Sequence, residues 1–163
     1  MIHEVTGDIL LSRANAIAHG VAPNDDFHTG LALALRERAP SLYKDFRHFC
    51  QSTHPKPGTL WTWAGPDGRR VVNLLTQEGV EGHHGGKPGK ATLPNVRHAL
   101  KALRAEIDAQ GITSLALPRL ATGVGGLEWD DVRPIVYEYL ADAGIPVYVY
   151  TTWRAGEAAD EAG

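Results

Sequence analysis

The sequence predicts an α/β fold, a three-layer α/β/α sandwich around a mixed, mostly parallel sheet. Three observations carry that prediction. Short apolar runs alternate with longer segments whose apolar positions recur every three to four residues. One strong turn signal, Gly65-Pro66-Asp67-Gly68, interrupts the alternation and adds an antiparallel pair. At 163 residues the chain suffices for one such core and falls short of two comfortable domains. The expected domain spans residues 1–153. The small, acidic segment 154–163 is expected to be a disordered tail.

The elements follow in chain order. Residues 2–5 read as a strand, turned by Thr6-Gly7-Asp8-Ile9-Leu10. Asp8 stands just past the strand end, where a carboxylate accepts from a ligand amine or caps a turn. Residues 14–18 read as a buried strand opening into a polar loop, His19 to Gly30. A loop this long between buried elements is more often functional than idle. Residues 31–38 are rich in helix formers, and Pro40 ends that helix. Residues 41–51 place Leu42, Tyr43, Phe46, Phe49 and Cys50 on one helical face. Residues 59–64 and 69–76 are the two strands of the hairpin. Residues 77–90 carry many glycines and read as a long mobile surface loop. Its pair His83-His84 lacks the partners of a metal site. Thr92 caps a helix over residues 93–110, which Gly111 terminates. Residues 113–117 form the next strand, residues 129–143 a helix and residues 146–152 the closing strand. Glu128, Asp130 and Asp131 suit the dipole at that last helix start.

Composition bounds the function. The chain is 43% hydrophobic and 21% charged, ordinary for a globular protein. A net charge of −3 argues against broad electrostatic binding to nucleic acid. A single cysteine, Cys50, excludes an internal disulfide and any multi-cysteine metal site, and its setting suits a core residue. No apolar run reaches membrane-spanning length and the N-terminus lacks signal-peptide character, so a cytoplasmic location is expected.

One stretch organises the site. Residues 118–129, Pro-Arg-Leu-Ala-Thr-Gly-Val-Gly-Gly-Leu-Glu-Trp, join a strand to a helix start through three glycines in four positions. Such a turn aims backbone N–H groups at one point, and the helix N-terminus beside it favours negative charge. The physical reading is a phosphate cradle, although a plain connection uses the same pattern. Asp8, the loop to Gly30, the loop after residue 76 and this stretch all follow strands. In an α/β sheet they converge on one rim.

These residues resemble the macro domain, the ADP-ribose-binding module, over residues 1 to about 152. Thr6-Gly7-Asp8-Ile9-Leu10 looks like its opening motif, and residues 117–127 look like its diphosphate loop. Ala18-His19-Gly20-Val21, Gly30-Leu31-Ala32 and Asn73-Leu74-Leu75-Thr76 look like one branch. That branch removes ADP-ribose from acidic side chains or DNA bases and includes antitoxins paired with DNA-modifying toxins. The resemblance implies that Asp8 accepts the adenine amine and the Ile9 amide contacts the ring. It implies that the amides of Thr122, Gly123, Val124, Gly125 and Gly126 hold the diphosphate. The loop ending at Gly30 would wrap the distal ribose, and Trp153 or Thr152 would cover the adenine. His19, at the end of a buried strand, is read as supporting the site.

Two departures matter. The branch carries a lysine after the Asn-Leu-x-Thr strand, and here that place is Gln77, which forms no imine and serves as no base. Lys90, or Lys87, would have to reach back from the same loop. The distal loop is also poorer in glycine, so Phe27 and His28 are expected to narrow the pocket. His28 becomes a candidate general acid or base, with Asp26 or Asp25 to polarise it or activate water. The expectation is an ADP-ribosylhydrolase acting on carboxylate- or nucleic-acid-linked ADP-ribose, without metal or cofactor and off the membrane, with room for a toxin partner. The alternatives are a non-catalytic reader and an ADP-ribose 1″-phosphate phosphatase.

Overall fold

The computed structural model describes residues 1–80 and 87–161. Six strands form one sheet in the order β1 (Ile2–Gly7), β8 (Val147–Trp153), β7 (Leu115–Pro118), β2 (Ala16–Val21), β4 (Arg70–Leu75), β3 (Leu60–Ala64). All neighbours are parallel except β3 against β4, which is the hairpin expected from Gly65-Pro66-Asp67-Gly68. A separate antiparallel pair, β5 (Gln77–Val80) and β6 (Lys87–Ala91), stands where the sequence suggested a long loop. His83 and His84 lie outside the described residues.

Alternation along each strand splits the sheet into two apolar faces. Ala16, Ala18, Val72, Leu74, Leu115, Leu117, Val147 and Val149 face α3 (Leu93–Gln110) and α4 (Trp129–Leu140). Val21, Val71 and Leu75 face α1 (Gly30–Arg38) and α2 (Pro40–Thr53), which contribute Leu35, Leu42, Phe46 and Cys50. Helix α3 has the expected bounds, with Thr92 Oγ1 accepting from the Asn95 amide and Gly111 ending it at φ 63°. Pro40 begins α2 rather than only ending α1, since proline at the first helical position loses no hydrogen bond. Strand β2 runs to Val21, so His19 and Gly20 belong to the strand and not to the loop after it.

A third cluster, Ile9, Ala14, Ile17, Ala116 and Tyr150, lies beside α1 on the α1/α2 face of the sheet. The segment expected to be a disordered tail packs there instead. Residues 154–161 fold back from β8, and Ala159 packs on this cluster. The Glu161 carboxylate accepts from the Ser12 hydroxyl at 2.6 Å, the Arg13 amide at 2.9 Å and the Tyr150 hydroxyl at 2.5 Å. Burial, then the bond to Glu161, holds the Tyr150 phenol well above its ordinary pKa. Composition missed this because one carboxylate with three donors anchors an otherwise featureless segment. No described helix is long and apolar enough to cross a membrane.

Candidate functional site

The carboxyl ends of β1, β2, β4, β7 and β8 share one rim, and a cleft runs along it. Two cavities make up the cleft, one of about 220 Å³ and one of about 490 Å³, joined at Gly30, Leu31 and Pro118.

The glycine loop forms one wall. Leu127 N–H donates to Ala121 O and Gly126 N–H to Gly123 O, both at 3.0 Å, so two turns fix the loop. Ala121 sits at φ 63° and Gly126 at φ 78°. A side chain at Gly125 would bring its Cβ within 2.6 Å of Ala121 O, which only glycine avoids. Among the described residues the amides of Thr122, Gly123, Val124 and Gly125 donate to no protein acceptor. Gly126 differs from expectation, because its amide closes the turn.

The start of α1 lines the same cavity through Thr29, Gly30, Leu31 and Ala32. Thr29 is the N-cap but makes no side-chain cap bond, and the first turn holds no acidic residue. The first amides of a helix have no intrahelical partner. Two sets of unpaired N–H groups therefore line one cavity, and that arrangement favours an anion.

Asp25 builds the loop before α1. Its carboxylate accepts from Ala22 N–H at 3.1 Å and Phe27 N–H at 2.9 Å. Burial pushes its pKa up against those two amides. Phe27 takes φ 51°, which turns its ring inward onto Phe46, Tyr43 and His19. The strain of a bulky left-handed residue, about 1–2 kcal/mol, is offset by that burial. Phe27 thus joins the α1/α2 core and does not line the pocket as expected.

His19, Gly20, Asp25, Gln77 and Arg119 complete the smaller cavity. His19 is fully buried, which lowers its pKa to about 4. Its Nε2 lies 2.7 Å from Asn73 Oδ1. Asn73 Nδ2 donates to the carbonyls of Trp61 and Val71, so Oδ1 is the acceptor and the neutral ring carries its proton on Nε2. Gln77 is 5% exposed, and its Nε2 donates to Gly89 O at 3.0 Å.

The larger cavity is apolar, walled by Ile9, Leu10, Leu31, Ala34, Tyr150 and Trp153. Trp153 is 70% exposed at the end of β8 and can close over a flat ring. Asp8 caps the 3-10 turn Ile9–Leu11 beside it. One oxygen accepts from Leu10 N–H at 3.0 Å and the other from Gly156 N–H at 2.9 Å, while Asp8 N–H donates to Glu157 O. The tail thus reaches the residue expected to meet an amine.

The predicted residues divide accordingly. Asp8, Ile9, His19, Gly30, Gly123, Val124, Gly125 and Trp153 stand on or beside the cleft, and Thr122 stands in its loop. His28 is exposed and Asp26 half-buried, and neither lines the cavities. Lys90 lies outside Gly126, where a Cβ would come 3.1 Å from its Nζ. Asp25 and Arg119 line the pocket without having been singled out as binding residues. The fixed polarity of an Asx turn was the available signal for Asp25. Among the described residues no three metal-ligating side chains cluster.

The chain is similar to known proteins over nearly its whole length. It is 26% identical to a DNA ADP-ribosyl transferase-DNA ADP-ribosyl glycohydrolase fusion protein of Thermosipho africanus, covering 90% of this chain and 40% of that one. It is 28% identical to the DNA ADP-ribosyl glycohydrolase of Thermus aquaticus, covering 92% of this chain and 41% of that one. The chain therefore spans about two fifths of the length of these relatives. It is 29% identical to the human ADP-ribose glycohydrolase OARD1, over 90% of this chain and 89% of that one. The solved macrodomain of Thermus aquaticus DarG superposes with a TM-score of 0.80 at 26% identity, over 93% of this chain and 98% of that one. The family model of the macro domain matches residues 27–136, about two thirds of the sequence. That match takes in the start of α1 and the glycine loop facing it, and the chain belongs to the macro domain family.

Proposed function

We propose that this macro domain binds ADP-ribose along the cleft and hydrolyses the bond from its distal ribose to a modified target. The observation that carries the reading is the double set of unpaired amides, residues 123–125 and the first turn of α1, lining one cavity. A diphosphate takes those donors without needing lysine or arginine. The adenine then occupies the apolar slot under Trp153, and its amine shares the Asp8 carboxylate. The distal ribose reaches the cavity of His19, Asp25 and Gln77. Lys90 adds positive charge beside Gly126 on the phosphate side.

With glutamine at position 77, hydrolysis proceeds by water. The water oxygen bonds to C1″ of the distal ribose as the bond from C1″ to the target breaks. The electron pair leaves on the target, and the water's proton passes to solvent. The relatives' names, DNA ADP-ribosyl glycohydrolase and ADP-ribose glycohydrolase, support this class of reaction. A second reading is a non-catalytic reader of ADP-ribose, favoured by the same Gln77, whose amide nitrogen is tied to Gly89 O. Calorimetric titration with ADP-ribose tests the binding. Incubation with ADP-ribosylated protein and ADP-ribosylated single-stranded DNA tests the chemistry. Binding with release of ADP-ribose supports a hydrolase; binding without release leaves a reader, and absent binding removes both.

A further inference from the structure

The floor of the smaller cavity holds polar groups that diphosphate and adenine binding leave unused. Gly20 is one of its lining residues. A Cβ on Gly20 would come within 2.7 Å of Thr76 Oγ1, 3.8 Å of Ala121 N and 3.9 Å of Gln77 Oε1. Three segments thus bring polar atoms around the bare face of one glycine: the end of β4, the start of β5 and the start of the glycine loop. Thr76 Oγ1 is buried without a hydrogen-bond partner. Among the described residues the Ala121 N–H donates to no acceptor. Gly89 O needs a donor, so the Gln77 amide turns its nitrogen there and its oxygen toward the cavity it lines. A donor and an acceptor therefore border one small space that Gly20 keeps open.

We infer that this space holds the attacking water, accepting from the Ala121 N–H and donating to Gln77 Oε1. This rests on the hydrolase reading above. Gln77 takes no proton. Its fixed oxygen orients one hydrogen of the water and so aims a lone pair outward, toward the ribose side of the cavity. The water oxygen bonds to C1″ while the bond from C1″ to the target's carboxylate oxygen breaks. The carboxylate leaves with the electron pair, and the water's second proton goes to solvent. Position 77 thus serves the reaction by orientation where the related branch carries a lysine.

The test compares wild type with Gln77→Leu, Gln77→Glu and Gly20→Ala, measuring release of ADP-ribose from a glutamate-ADP-ribosylated peptide. Calorimetric Kd for free ADP-ribose and the melting temperature are followed alongside. Gln77→Leu removes the acceptor, and Gly20→Ala drives a Cβ against Thr76 Oγ1 and crowds the edge of the space. Each should lower kcat at least thirtyfold, with Kd held within threefold. Gln77→Glu keeps an acceptor facing the cavity but loses the donor to Gly89, so it should stay below wild type yet recover at least fivefold of the kcat that Gln77→Leu loses. A merely structural role would make Gln77→Glu as poor as Gln77→Leu, and that result overturns the inference. So does a Gln77→Leu variant with wild-type turnover, or one whose loss lies in Kd, which would assign the space to a ribose hydroxyl. Wild-type protein that binds ADP-ribose but releases none overturns it while leaving the binding intact. Wild-type protein that does not bind ADP-ribose overturns the proposed function itself.

Discussion

Asp8 and His19 show how single residues connect the fold to the site. Asp8 joins the 3-10 turn and the tail through one carboxylate, next to Ile9 and Leu10 of the apolar slot. Asp8→Ala should weaken ADP-ribose binding by about 1–3 kcal/mol, the worth of a charge-assisted hydrogen bond, read by titration calorimetry. Unchanged affinity would remove the adenine assignment. His19 sets an acid limit on stability. Its folded pKa, lowered from 6.5 to about 4 by burial, lies below its unfolded value. Between those values the unfolded chain binds the extra proton, so stability falls as pH drops from about 6.5 toward 4. The full loss is about 3 kcal/mol from this group. Denaturant titrations across that range should show the slope, and His19→Gln should flatten it.

Elements carry the next level. The tail is held by Glu161 at one end and by Gly156 on Asp8 at the other. Removing residues 154–163 exposes Ile9 and Tyr150 and strips donors and acceptors from Ser12, Arg13 and Asp8. A loss of about 2–4 kcal/mol is expected, from several hydrogen bonds each worth about 1 kcal/mol net. Glu161→Gln should cost roughly 1 kcal/mol of this, since it keeps the shape and loses the charge. Urea denaturation of both variants measures the difference. A truncated chain as stable as the full one would mean the segment is not anchored. The β5–β6 pair matters in another way, because Gly89 of β6 orients the Gln77 amide.

For the molecule as a whole, saturating ADP-ribose should stabilise the fold. At a hundredfold excess over Kd the gain is about 2.7 kcal/mol, a rise of several degrees in melting temperature. A thermal scan with and without ligand reads it, and no shift would count against the cleft. Much of this architecture was legible in the sequence. Helix α3 was bounded correctly because Thr92, its apolar stripe and Gly111 agree with one another. The rim was legible because Asp8 and the glycine loop each follow a strand. Other features were not. Phe27 was misplaced because a positive φ in a phenylalanine is a tertiary outcome, set by Asp25 and the α2 core. His19 was placed after its strand, where only pairing with Asn73 shows it inside. The tail was missed because Glu161 finds its three donors only in three dimensions.

The meeting of Gly156 with Asp8 bears on which bases the slot tolerates. A carboxylate left bare by a wrong ligand is what makes a polar pocket selective. Here both oxygens already hold amides from the chain itself. A purine with hydrogen in place of the six-amino group would leave no orphaned charge behind. Replacing the amine by hydrogen should therefore cost less affinity at the wild-type slot than Asp8→Ala costs ADP-ribose, because that substitution also strips the bonds to Leu10 and Gly156. The chain's own backbone would make the slot a reader of ring shape more than of exocyclic groups.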